Sequence, residues 1–460
     1  MDDGVLDRRP LTLAELAGHL ASGCRPKSEF RVGSEHEKFL FRVGSHEPVG
    51  YGPDAEGRGG VQALLEGLMP FGWTGVYEDG PNGHVLIALQ RGGASVTLEP
   101  AGQFELSGAP LESVHDICDE ISQHLTEAKQ VAAGLGIGFM GLGFTPTWTR
   151  EQAPIMPKER YAIMRAYMPK VGARGLDMML RTCTVQSNLD YASEADMAAK
   201  FRVSLALQPV ATALFANSPF VEGKPTGWLS NRARAWTDTD PDRTGMLHFV
   251  FEDGFGFETY ARYALDVPMY FVKRHGRYID AAGQSFRAFI DGELPAAPGE
   301  RANLHDWEEH LATIFPEVRL KTFLEMRGAD TGPKTRLCAL AALWIGLLYD
   351  DAALAAAWDL AKGWTADERE RIRVEAARVG LKAEIGGRTL REVALDVLAI
   401  AREGLKRRGR LSGALTDETG YLTDLDEIAE TGVTPAERWL DHYNGPWRGE
   451  AGPAFEAAAY

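Results

Sequence analysis

Residues 96–108, VTLEPAGQFELSG, set two carboxylates, Glu99 and Glu105, into an otherwise apolar, strand-like sequence. A carboxylate buried in a sheet is costly unless a cation or a hydrogen-bond network neutralises it. One such pair alone reads as a polar sheet surface. The pattern recurs twice more along the chain, and the repetition favours a fold that brings several acidic strands to one place.

The second occurrence is GSEHEKFLF at 33–41. Strand side chains alternate, so Glu35 and Glu37 share a face with Phe39 and Phe41 while His36 points to the other. Alone, this Glu-x-Glu reads as a solvated edge. In the first segment the Pro-Ala-Gly turn interrupts parity, but Gln103 and Glu105 belong on one face. The third occurrence, 318–327, reads as a single strand. Val318, Leu320, Leu324 and Met326 fall on one side, and Arg319, Lys321, Glu325 and Arg327 on the other. Glu325 and Arg327 could pair on the sheet surface, or Glu325 could ligate a metal while Arg327 reaches a phosphoryl group. Mg²⁺ takes oxygen ligands and is usually shared with substrate phosphates. Phosphoryl transfer needs metal and guanidinium charge at the moving group. Three acidic clusters converge on that chemistry.

Gly136–Gly141 matches GxGxxG, but it follows a helix and precedes no helix N-terminus, so the strand–turn–helix context of a dinucleotide site is missing. A glycine-rich strand permitting close packing is expected instead. GxxxxGK[ST], GxSxG and HExxH are absent from the sequence.

The 460 residues, 45% apolar, suffice for a large core or for two cores sharing an interface. Lys+Arg 49 against Asp+Glu 65 gives a formal charge of −16, which disfavours nucleic acid and anionic membranes as partners. The acidic opening 1–7 has no apolar h-region, so no secretory signal is expected. The longest apolar run, 337–349, is too short to span a bilayer and reads as a buried helix. Four cysteines without CxxC spacing exclude a zinc ribbon or a disulfide scaffold and point to a reducing cytoplasm. Helices are expected at 11–22, 111–134, 159–180 and 194–216, with 29–108 β-rich and 181–190 a strand. Capping boxes stand at Thr12/Glu15, Thr365/Glu368 and Thr434/Glu437, the last with Pro435 at the first helical position. The expected class is α+β with antiparallel strands. One catalytic domain covers 1–460: a mixed sheet and helix body over 1–333 and a mainly helical part over 334–460 packed on it.

Taken together, GSEHEKFLF, VTLEPAGQFELSGAP, MPKERYAIMRAYMPKVGARGLDMMLRTCTVQSNLDY, LALQPVATALFANSPF, RAWTDTDPDRTGML, FPEVRLKTFLEMRGAD and TGVTPAERWL resemble the plant and proteobacterial type of glutamate–cysteine ligase. That resemblance implies a glutamine synthetase-like carboxylate–amine ligase, with a curved antiparallel sheet lining the site and helices flanking it. It implies that ATP phosphorylates the γ-carboxylate of L-glutamate and that the amine of L-cysteine displaces phosphate, the first step of glutathione biosynthesis. The alternative joins glutamate to a different amine. A catalytically silent binding protein is disfavoured because all five expected metal carboxylates are present.

By the same resemblance Glu35, Glu37, Glu99, Glu105 and Glu325 hold two or three Mg²⁺ ions, and Arg327 and Arg232 are catalytic. Arg160, Arg232, Asn188 and Gln186 are the substrate-binding candidates. Gln186 stands where distant relatives use a histidine metal ligand, and it offers only a neutral oxygen. Cys118 and Cys338 match a redox-sensitive disulfide of the plant members, whereas Ala281 and Ala296 replace a second pair. From their own surroundings, apolar helical patterns, Cys118 and Cys338 read as two inert buried thiols. The implied partners are small molecules, the chain being a monomer or homodimer in the cytoplasm.

Overall fold

The computed structural model describes residues 9–80 and 83–460. The opening 1–7, read for a secretory signal, and Pro81 and Asn82 of an expected turn lie outside them. Strands β1 (Val32–Arg42), β2 (Thr74–Gly80), β3 (Gly83–Arg91), β4 (Ala94–Leu98), β5 (Phe104–Ser107), β6 (Ile137–Met140), β7 (Thr184–Leu189), β8 (Val318–Leu320) and β9 (Leu324–Asp330) make one sheet. Its order is β8-β9-β7-β1-β5-β4-β3-β2, with β6 on the second half of β1, and every ladder is antiparallel. This is the expected α+β class.

Register decides the site, because directly paired residues present side chains to the same face. Glu35 stands between Ser107 and Gln186, Glu37 opposite Glu105, and Glu105 opposite Thr97. Glu325 is flanked by Asn188 and Arg319. Residues 318–327 therefore form a hairpin and not the single strand expected. The turn at 321–323 rests on Gly23, where a Cβ would lie 2.1 Å from the Thr322 carbonyl. Face assignments survive the correction because Arg319 pairs across to Glu325.

The helices used below are α1 (Leu13–Ala21), α2 (Val61–Leu68), α3 (Val114–Leu135), α4 (Glu159–Val171), α5 (Gly175–Arg181), α6 (Glu194–Leu214), α7 (Asn231–Trp236), α8 (Lys334–Leu348), α9 (Leu390–Arg408) and α10 (Pro435–Asn444). All three capping boxes form. The 29–108 region is not wholly β: α2 buries Val61, Leu64, Leu65 and Leu68, a helical spacing hidden between glycine-rich flanks. The expected helix 159–180 breaks at Gly172, whose missing side chain lets Thr239 O approach within 2.3 Å of the Cβ position. The 136–141 glycines cap α3 and open β6, and Gly138 packs under the Phe41 ring, so the close-packing strand reading holds.

Behind the sheet, Val32, Val185, Leu189, Val318, Leu320, Leu324 and Met326 join α6, α8 and α9 in one apolar core. α8 crosses the back of β1 and β7, and α6 covers β9. A second core joins Leu40, Val96, Leu98, Phe104 and Leu106 to α2. No single described helix is long and apolar enough to cross a membrane. Cys118 on α3 and Cys338 on α8 are joined by a disulfide, their Cα atoms 5.7 Å apart. This corrects the reading of two inert thiols: packing α3 against α8 brings together two helices that sequence distance keeps apart.

Candidate active site

Alternation along β1 sends Glu35 and Glu37 to the front of the sheet and His36 and Lys38 to the back, where His36 faces the ring of His124 on α3. Asn188 Nδ2 donates to Glu35 Oε1 at 2.6 Å, and the Thr184 amide donates to Glu37 Oε2 at 2.9 Å. Thr97 Oγ1 donates to Glu105 across the β4–β5 ladder. Between these strands Gly102, at φ +80°, gives its amide to Glu99 O at 2.9 Å and closes the turn that presents Glu99.

Glu35, Glu37, Glu99 and Glu105 line one cleft of about 220 Å³. Gln103, Gln186, Arg160, Arg232, Arg319 and Arg327 line it too, and Met164, Met178, Met179, Trp236, Phe271 and Phe315 supply apolar wall. Burial, then the charges of Glu325 and Glu105, push the Glu35 carboxyl up to about 7. Burial, then Glu99 and Glu105, raise Glu37 well above the usual carboxylate range. Burial and Glu99 raise Glu105. Groups that repel one another this way hold a standing demand for positive charge.

Glu325 is treated oppositely. Burial alone would raise it, but Arg319, Lys321 and Arg327 hold it well below the usual carboxylate range. Arg319 Nε reaches Oε2 at 3.0 Å, Nη2 reaches Oε1 and Oε2 at 2.9 and 2.7 Å, and Arg327 Nη1 contacts Oε1. Both oxygens are thus already engaged, and Glu325 would have to release these cations to ligate a metal. Arg327 Nη1 also donates to Gln186 Oε1 at 2.8 Å, occupying the oxygen Gln186 would offer an ion.

Arg232, on α7, donates through Nη2 to Arg327 O at 2.6 Å, while its buried Nε has no protein partner among the described residues. Arg160, in the first turn of α4, sits 5.2 Å from the Tyr161 ring centroid. Asn188 lies beneath Glu35 and is not a wall of the cleft. Sequence reasoning passed over Arg319 and Lys321 as site residues although parity put them on the Glu325 face. It also passed over Lys158, whose Nζ donates to Leu98 O at 2.9 Å and which burial, then Arg160, pushes down to about 8. Nothing in the sequence around Lys158 marks it as buried.

Among the described residues no three acidic, histidine or cysteine side chains are gathered to hold an ion by themselves. The donor set nevertheless fits a hard divalent cation. Three raised carboxylates and Glu99 share one cleft and offer only oxygen donors, the donor type such a cation takes.

An antiparallel sheet that sets acids against guanidinium groups around one cleft suits anionic substrates accompanied by a cation. A solved glutamate–cysteine ligase from Francisella tularensis in complex with AMP has the same fold, at a TM-score of 0.54 and 12% identity over 93% of this chain and 87% of that one. The sequence matches the glutamate–cysteine ligase family 2 (GCS2) over residues 31–457, and the chain belongs to that family. It is 56% identical over its whole length to the chloroplastic glutamate–cysteine ligase of Arabidopsis thaliana, covering 85% of that protein. The chloroplastic enzyme of Solanum lycopersicum is 54% identical over the whole chain and 85% of its own length. Oryza sativa glutamate–cysteine ligase B, also chloroplastic, is 52% identical with 89% of its length covered. These chloroplastic relatives overturn the expectation of a cytoplasmic protein. That expectation rested on cysteine spacing, which is blind to a bond between distant helices.

Proposed function

We propose that the cleft joins the γ-carboxylate of L-glutamate to the amine of L-cysteine at the expense of ATP, yielding γ-glutamylcysteine, ADP and phosphate. The carrying observation is the division of the sheet face into an under-compensated acidic group and a fixed guanidinium group within one cleft. A free carboxylate is a poor acyl donor. Its oxygen therefore attacks the γ-phosphorus of ATP, ADP leaves, and the cysteine amine then attacks the γ-glutamyl phosphate, expelling phosphate and losing a proton.

Glu35, Glu37, Glu99 and Glu105 would hold Mg²⁺, two or three ions by family resemblance, which neutralises nucleotide phosphate and glutamate oxygens when bound. Arg327, held by Glu325 and Gln186, faces the moving phosphoryl group. Arg319 and Glu325 keep it there. Arg160 and Arg232 grip amino-acid carboxylates, for which a guanidinium fork is suited. Asn188 orients Glu35 and Gln186 orients Arg327, so both serve substrate binding through neighbours. The chain 1–460 works as one catalytic unit, the helices after 333 bracing the back of the sheet.

Phosphate release with ATP, glutamate and a panel of amines tests the reading. Cysteine should give the largest kcat/KM, and equal rates with cysteine and unrelated amines would reject it in favour of another acceptor. Arg327→Lys, which keeps charge but loses the planar fork, should lower kcat by roughly 10²–10³-fold. A wild-type kcat would remove Arg327 from phosphoryl transfer.

A further inference from the structure

On the back of the sheet, away from the acidic cleft, α3, α8, α10 and the segment 457–460 line a second, half-open cavity of about 510 Å³. Leu125, Trp439 and Tyr460 give it apolar wall, and Lys129, Lys334 and Arg336 bring three cationic side chains to it in a chain of net charge −16. Arg336 is the unusual member. It is 9% exposed, and its buried Nη1 has no hydrogen-bond partner among the described residues. Several buried arginines here are ion-paired, Arg181 with Asp177, Arg243 with Asp240 and Arg319 with Glu325, while Arg232 in the catalytic cleft and Arg369 share with Arg336 a buried nitrogen without a partner among the described residues. No ion pair to Arg336 is formed among the described residues. Burial pushes it down only to about 10, against the pull of Asp424 and Tyr460, so it stays cationic at neutral pH. A buried donor left without an acceptor is unfavourable, and more so when charged. A roomy apolar cavity with a few convergent polar groups is the usual form of a small-molecule site.

We propose that this cavity binds a small organic anion, a carboxylate or phosphate monoester with an apolar body, whose charge meets Arg336, Lys334 and Lys129 and whose body lies on Leu125 and Trp439. The position links it to two other parts of the molecule. Lys334 Nζ donates to Ser122 Oγ at 2.9 Å, and Ser122 in turn donates to Cys118 O, so the occupant touches both helices joined by the disulfide. Tyr460 donates its hydroxyl to Gly332 O at 2.6 Å, and the neighbouring Thr331 Oγ1 donates to Glu37 O at 3.0 Å on the strand that carries the front-face acids.

The test is isothermal titration of the intact, oxidised protein with phenyl phosphate and with phenylacetate. Mg²⁺–ADP and glutamate are both kept in excess, so that the nucleotide and amino-acid parts of the catalytic cleft are filled without turnover. Inorganic phosphate and benzyl alcohol probe the charge and the ring separately. Either aromatic anion should bind more tightly than both controls. R336M and K129E should each weaken it about tenfold or more while leaving the basal ligase rate unchanged. Lys129 is exposed, so K129E keeps the test decisive if R336M does not fold. A bound probe should also slow reduction of the Cys118–Cys338 bond by dithiothreitol in wild type and not in R336M. Phenyl phosphate alone binding identifies the phosphate class, and phenylacetate alone the carboxylate class. The proposal is overturned if no aromatic anion binds at millimolar concentration, if inorganic phosphate binds equally well, or if both variants bind as wild type does.

Discussion

Glu35 and Glu325 lie on the same sheet face, yet replacing each with glutamine should move stability in opposite directions. In metal-free protein, the folded state raises the Glu35 carboxyl from 4.5 to about 7. Folding therefore favours its protonated form, and stability is lost as pH climbs from 4.5 through 7. At pH 8 the full difference applies, about 3 kcal/mol at 1.36 kcal/mol per pH unit. Glu35→Gln removes that loss and can still accept from Asn188, so it should stabilise by up to about 3 kcal/mol at pH 8 and by little below pH 4.5. Glu325→Gln does the reverse. It leaves Arg319, Arg327 and Lys321 without their shared counter-charge, and breaking a buried pair this way costs about 3–5 kcal/mol. Urea unfolding in EDTA at pH 8 reads both as midpoint shifts of opposite sign. Parallel losses in the two variants, or an unchanged midpoint in Glu325→Gln, would refute the assignment of an under-compensated and an over-compensated acid. Both variants should lose turnover.

Reducing Cys118–Cys338, which closes a loop of 220 residues, should cost up to about 5 kcal/mol by chain entropy and lower the thermal midpoint. Equal ligase activity in oxidised and reduced protein, with the bond demonstrated by mass spectrometry, would reject a regulatory role for it. His310, buried with Nε2 2.8 Å from Ala264 O, is pushed by burial from 6.5 to about 4. Its neutral form is the folded form, so about 3 kcal/mol of stability present above pH 6.5 should disappear as pH falls to 4. His310→Gln should flatten that part of the wild-type pH profile, and an unchanged slope would count against it.

Alternation was enough to place Glu35 with Glu37, Gln103 with Glu105, and Arg319 with Lys321, Glu325 and Arg327, since side-chain period survives even where the element is misread. Residues 318–327 show why: folding the run into a hairpin pairs Arg319 with Glu325 and keeps both on the front. Neighbour relations were beyond pattern reading. Nothing local says that β1 lies between β5 and β7, or that α3 meets α8, because those follow from packing of residues far apart in sequence. Family resemblance named the acids and the cysteine pair. It could not show that Glu325 is already saturated by cations, which depends on the Arg319 rotamer and on the carbonyls of Ala312 and Ile314 that hold it.

That chain of contacts separates a cation-saturated half of the cleft from an acidic half whose charge is left unbalanced. Ala312 O and Ile314 O fix Arg319, Arg319 fixes Glu325, and Glu325 with Gln186 fixes Arg327, whose carbonyl in turn accepts from Arg232. The same hairpin turns Val318, Leu324 and Met326 into the core behind the sheet, so its position is set by apolar burial that the chemistry never touches. A guanidinium held on a rigid hairpin needs little reorganisation as phosphoryl charge develops, which is where electrostatic catalysis gains most. The acids of β1 and β5 are rigid as well, but their charge is left unbalanced. In the proposed reaction this asymmetry makes nucleotide binding depend on the cation. The fixed arginines attract phosphate and the acids repel it; a divalent cation held by Glu35, Glu37, Glu99 and Glu105 would offset that repulsion.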